Sequence, residues 1–238
     1  MCESYFRYLY CSVHSLARLP TTDHIEIYVF CDRNEMLTEP QCQQLAALGL
    51  SIKVIPWGKS QGWGATQIES IWNAYELAAR DAPDGTYIAR VDADVFFFSP
   101  WLFDAVARSG ADMVGDGHYV NFEYCQGGVY FLTREAVQRV LTATPVNTFE
   151  AVLKDAAINV EDVAAHHFAV RAGLKIWLAF YMMFPDEFNN AGGLTAYQRW
   201  KFACLHYATR NKAPMLDIYL SEVVPREEHG RFSAALAA

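Results

Sequence analysis

The chain has 238 residues, 53% hydrophobic and 19% charged, which is enough apolar material for one substantial core and too little charge for a disordered chain. Its net charge of -8 excludes a binder of nucleic-acid polymer held by bulk electrostatics, so an anionic ligand requires a local cation or a metal. Six cysteines (Cys2, Cys11, Cys31, Cys42, Cys125, Cys204) show no CxxC pair and no zinc-ligand spacing, and read as reduced, packed thiols of a cytoplasmic protein. No basic, apolar leader opens the chain, and its longest apolar run, Trp177 to Phe184, is too short for a transmembrane segment.

Tyr5, Leu9, Val13 and Leu16 recur at helical spacing and predict a helix over about 3–19, ended by Pro20. The β-branched and aromatic run 25–31 predicts a buried strand that ends in Asp32-Arg33-Asn34, a candidate ligand edge. A helix over 39–48, stopped by Gly49, and a strand over 51–55 follow. The segment 57–64 holds three glycines, Trp57, Trp63 and Lys59; it reads as a loop with its tryptophans in the core, or as a lid in which Trp63 stacks on a sugar and Lys59 meets phosphate. Thr66 predicts the cap of an amphipathic helix to Arg80, and Ser99-Pro100 opens another to Ala107. This alternation predicts an α/β sandwich whose central, mainly parallel sheet is flanked by helices.

Between those last two helices runs Tyr87-Ile88-Ala89-Arg90-Val91-Asp92-Ala93-Asp94-Val95-Phe96-Phe97-Phe98, an apolar stretch interrupted by two acids. On an extended segment residues i and i+2 point to one side, so Asp92 and Asp94 can converge on a hard divalent cation. The alternative is a turn cap beside a solvated acid. Beyond it, 122–132 contains Gly127-Gly128, a tight backbone beside a ligand or a plain bulge, and Thr133 caps a helix to Leu141. The stretch 159–173 opens with Glu161-Asp162, which favours a helix dipole without any catalysis. His206 follows an apolar run, where a histidine is usually a core residue, and 222–238 reads as a polar tail.

As an ordered set these segments resemble the glycosyltransferases of the GT-A fold, in the motif order of the fringe-like and β-1,3-galactosyltransferase branch. Arg90-Val91-Asp92-Ala93-Asp94 matches the Asp-x-Asp motif, Cys125 to Phe131 the acceptor-side glycine segment, Glu161-Asp162-Val163 the acidic helix start, and His206 the late histidine. The resemblance implies a single domain, with a nucleotide-sugar half over about 1–110 and an acceptor half over about 111–215. It implies transfer of a sugar from a nucleotide-sugar donor to a hydroxyl of a glycan or similar acceptor. Mn2+, or Mg2+, would be held by Asp94, His206 and Asp92, the last also contacting ribose or metal-bound water. Asp32 would contact base or ribose, and Arg90 would offset donor charge. Gly127, Gly128, Glu161 and Trp63 would face the acceptor, and in an inverting reaction Asp162 would be the general base. One departure accompanies the match: the fold's first strand, which precedes the helix that here begins near Met1, has no counterpart in the sequence. A retaining transferase and a non-catalytic nucleotide-sugar-binding module remain alternatives. A nucleotidyltransferase would need a glycine-rich phosphate loop near the start, which the sequence does not show.

Overall fold

The computed structural model describes residues 5–20, 24–58, 64–184, 194–207 and 211–237. The chain forms two compact units that interleave in sequence: Met1–Trp57, Asp92–Phe103 and Tyr181–Ala238 make the first, Gly58–Val91 and Asp104–Phe180 the second. The chain passes from one unit to the other four times.

In the first unit, helix α1 (Phe6–Ala17) buries the predicted stripe of Leu9, Val13 and Leu16. Strands β1 (Glu26–Asp32) and β2 (Ser51–Trp57) pair in parallel, with Val29 opposite Val54. Between them α2 (Glu39–Ala46) starts in a capping box, in which Thr38 and Gln41 each accept the other's backbone N–H. A second sheet has the order β4 (Val95–Phe97), β9 (Cys204–His206), β8 (Met182–Met183). Because β9 pairs with β4, the late part of the chain belongs with residues 92–103, which is why the units interleave. Ser15 fastens α1 to this sheet: its hydroxyl accepts the Phe97 N–H at 2.9 Å and donates to the Ser12 carbonyl at 2.6 Å.

The same unit holds α8 (Ala196–Lys201), α9 (Ala213–Glu222) and α10 (His229–Ala237). The last of these corrects the expected tail. Phe232 is buried against Tyr10, His14 and Tyr219, with ring centroids 5.7, 5.1 and 5.4 Å apart. A single aromatic anchor in a polar segment gives little periodicity, so the sequence pattern misses it.

The second unit contains α3 (Ala65–Asp81), β3 (Tyr87–Val91), β5 (Met113–Asp116), β6 (Gln126–Thr133), α5 (Arg134–Ala143), α6 (Phe149–Asp155), α7 (Glu161–Arg171) and β7 (Ile176–Ala179). Helix α4 (Trp101–Ser109) carries the crossing at Phe103. Helix α3 begins at Gly64, whose φ of 79° suits glycine, and not at a Thr66 cap. The sheet runs β3-β6-β5-β7. Its core joins Ile68, Trp72 and Tyr75 of α3 to Met113, Tyr130, Leu132, Val137, Phe149 and Phe168.

The pairings correct the expected parallel bias: β1·β2, β5·β7 and β8·β9 are parallel, whereas β3·β6, β5·β6 and β4·β9 are antiparallel. For β5 and β6 the reason lies in the connection. Residues 117–125 contain no α-helix between β5 and β6, and so short a link joins antiparallel strands.

His14 gives this packing a pH dependence. Its Nδ1 lies 2.7 Å from the Tyr219 hydroxyl, and burial, reinforced by Arg18, lowers its pKa from 6.5 to about 4. In the window between those values the unfolded chain binds the proton and the folded chain does not. Stability is therefore full above about pH 6.5 and falls as pH drops toward 4, by on the order of 2–3 kcal/mol. Urea unfolding at pH 7 and 4.5 should show this loss, and His14→Phe should shrink it; an undiminished loss in that variant would remove His14 as its source.

Candidate metal centre

Strand β3 stops at Val91 and β4 begins at Val95, so Asp92 and Asp94 do not lie on one extended strand. They lie in a turn closed by the Val95 N–H on the Asp92 carbonyl at 3.1 Å. The two acids thus converge by turn geometry and not by the strand pleat. The turn is held against β9: Val95 sits opposite His206, and the Tyr207 N–H bonds the Asp94 carbonyl at 3.0 Å. The aromatic run that follows the acids supplies the anchor, since Phe96 and Phe97 are fully buried.

This register brings His206 to both acids. Its Nε2 stands 3.5 Å from Asp92 Oδ2 and 3.7 Å from Asp94 Oδ1. Those spacings are long for hydrogen bonds and fit ligand atoms that share one small divalent ion at about 2.1 Å, which lie roughly 3–4 Å apart. One ligand atom from each of the three residues lies within 4.8 Å of the others. Asp94 and His206 are buried and Asp92 is half-buried. Among the described residues, the buried His206 Nδ1 has no hydrogen-bond partner. Burial pushes the Asp94 carboxyl up, but His206 and Lys212 outweigh it and hold the group below the usual carboxylate range. Two carboxylates and an imidazole therefore form a built donor set that fits a divalent cation.

Lys212 is the member that sequence reasoning missed. Its Nζ donates to Asp94 Oδ2 and, at 3.0 Å, to the Tyr207 carbonyl. The sequence signal is modest: a lysine six positions after the candidate histidine, just before the Pro214 that opens α9.

Of the predicted acceptor residues, Gly127, Gly128 and Glu161 lie in the second unit, together with Asp162. Gly127 donates its N–H to Asp162 Oδ2 at 3.0 Å, and a Cβ on Gly127 would meet that oxygen at 3.3 Å. Asp162 Oδ1 accepts the Val163 N–H at 2.8 Å. Gly128 has φ 109°, and the register of β6 against β5 jumps from Gly115↔Tyr130 to Asp116↔Gln126, so the two glycines form a bulge. Glu161 is paired with Arg90 at 3.3 Å and accepts from the Tyr130 hydroxyl. Arg90 and Glu161, expected at donor and acceptor, thus meet each other. A further pair joins the end of β5: Asp116 Oδ1 lies 2.5 Å from His118 Nδ1, and the His118 ring centroid is 3.8 Å from that of Phe180.

In the first unit, Asp32 Oδ1 accepts the Asn34 N–H at 2.8 Å, closing a polar turn at the end of β1. Trp63 and Lys59 lie outside the described residues.

No family model and no curated protein matches the chain. Solved structures do. A galactosyltransferase, LgtC, in complex with donor and acceptor sugar analogs superposes with a TM-score of 0.61 at 13% identity, over 97% of this chain and 98% of that one. An active-site mutant of LgtC gives 0.59 at the same identity and coverage. Mouse xyloside xylosyltransferase 1, apo form, gives 0.47 at 13% identity, over 84% of this chain and 91% of that one. The chain has the mixed α/β fold of the GT-A glycosyltransferases.

The Arg90–Glu161 pair makes a stability prediction. Both side chains are largely buried, so Arg90→Met strands the Glu161 charge and should cost about 2–4 kcal/mol. Arg90→Met with Glu161→Gln should recover at least part of the loss in urea unfolding. A single variant as stable as the wild type would show that the pair carries no such weight.

Proposed function

We propose that the chain is a metal-dependent glycosyltransferase that moves a sugar from a nucleotide-sugar donor to a hydroxyl of a glycan or similar acceptor. The observation that carries the reading is the convergence of Asp92, Asp94 and His206 in a chain with this fold. The three side chains would hold the cation, and the mixed oxygen and nitrogen set suits Mn2+ somewhat better than Mg2+. A bound divalent ion supplies Lewis-acid stabilisation of the negative charge that develops on the leaving diphosphate. Lys212 offers a second cation at the same carboxylate, which a net charge of -8 makes valuable to an anionic donor. Asp32 would meet base or ribose from its turn at the end of β1. None of the five described cysteines is in a disulfide, which supports the cytoplasmic reading. Among the described residues no helix is long and apolar enough to cross a membrane.

Two courses of transfer are carried by different observations. In an inverting course Asp162 takes the proton of the attacking acceptor hydroxyl, with Glu161 orienting the acceptor beside Gly127 and Gly128. A second course is favoured by the hydrogen bonds in the second unit. Asp162 Oδ2 already accepts the Gly127 N–H and so joins α7 to β6, its Oδ1 accepts the Val163 N–H of its own helix, and Glu161 is engaged by Arg90 and Tyr130. Those partners make Asp162 and Glu161 positioning residues for the glycine bulge, in a retaining transferase that needs no such base.

A screen of nucleotide sugars with and without Mn2+ tests the reading. Metal-dependent donor hydrolysis or transfer is expected from the wild type and should vanish in Asp94→Ala with the fold preserved; wild-type turnover in that variant contradicts the metal assignment. Nucleotide binding with no turnover of any donor would favour the non-catalytic module. Asp162→Asn separates the two courses: transfer falls by about 10²–10⁴-fold if Asp162 is the base, and largely survives if it positions the bulge, because asparagine keeps an acceptor oxygen for Gly127. The anomeric configuration of the product, read by NMR, must agree with the outcome.

A further inference from the structure

Lys212 sits at the start of α9, with a side chain that is 18% exposed, and reaches back to Asp94, whose side chain is 8% exposed. Its ammonium is held from two sides, by Asp94 Oδ2 and by the Tyr207 carbonyl, and Tyr207 is itself tied through its N–H to the Asp94 carbonyl. The lysine is thus anchored to the same strand end that positions His206. On the other side of the carboxylate, Asp94 Oδ1 faces His206 Nε2, which also faces Asp92. One oxygen of Asp94 is turned toward the metal-ligand set and the other toward a fixed positive charge.

A buried carboxylate needs a compensating cation, and two cations on one carboxylate repel each other with little solvent to screen them. We infer that Lys212 is a tethered counter-ion of the metal site: it neutralises Asp94 when no ion is bound and opposes the entry of a divalent cation until a negatively charged ligand draws the ammonium away. Metal and anionic ligand then bind with positive coupling, because each relieves the contact that resists the other. The inference rests on the reading of Asp92, Asp94 and His206 as metal ligands. It adds that the bare site is kept weak by a residue outside that set.

The test is Mn2+ binding without any nucleotide, followed by the EPR signal of the free ion, in the wild type, Lys212→Met and Lys212→Arg, with circular dichroism as the check of folding. Lys212→Met should bind Mn2+ about tenfold more tightly than the wild type, and Lys212→Arg, which keeps the charge, should stay weak. Adding UDP should tighten Mn2+ binding in the wild type and do so less in Lys212→Met. Equal or weaker Mn2+ binding by Lys212→Met, with the wild type binding normally, overturns the counter-ion role and leaves the metal site standing. If the folded wild type and Lys212→Met both fail to bind Mn2+, the metal reading itself is overturned, and the inference falls with it.

Discussion

Val95 faces His206 across the β4–β9 ladder, and the bond from the Tyr207 N–H to the Asp94 carbonyl extends that ladder by one step. Every ligand distance in the candidate metal centre depends on this register. A slip of one residue would turn His206 to the other face of its strand and leave the acids without a nitrogen partner. The register is secured by burial: Phe96, Phe97, Cys204 and Leu205 have no useful solvent exposure, and Ser15 of α1 takes the Phe97 N–H. A hydrophobic strand pair thus positions a polar turn, and the turn brings two carboxylates to within reach of one cation.

The second unit places its charges differently. Arg90 on β3 and Glu161 at the first turn of α7 neutralise each other, with the Tyr130 hydroxyl as a further donor, and Arg90 lies opposite Tyr130 in the β3–β6 register. Next to that pair, Asp162 ties the Gly127 backbone to the helix. Acidic residues in a helix's first turn are favoured by its dipole, so one feature serves both local stability and the bracing of the bulge. Buried pairs of this kind add little net stability, but losing one partner is costly, which is how they fix an arrangement.

Much of this was legible in the sequence. The stripe of α1, the apolar run of β1 and the Thr133 cap of α5 follow from spacing and residue type alone, and the Asp-x-Asp and His206 do come together. Three things were not legible, each for a physical reason. The acids meet through a turn because β3 ends at Val91, and an apolar run does not show where a strand breaks. Glu161 and Arg90 find each other through tertiary packing over a long sequence separation, which no local pattern encodes. Lys212 and Phe232 act as single anchors in polar segments, and one residue makes no period.

In the proposed function Asp92, Asp94 and His206 hold one divalent ion. Pulsed EPR of Mn2+ bound to the wild type and to His206→Gln tests it most directly, because the coupling of a directly bound nitrogen reports the imidazole and not merely a nearby acid. One bound Mn2+ with a histidine nitrogen coupling in the wild type, lost in His206→Gln, is the predicted result. Mn2+ held by oxygen ligands alone, or held identically in both proteins, would contradict it.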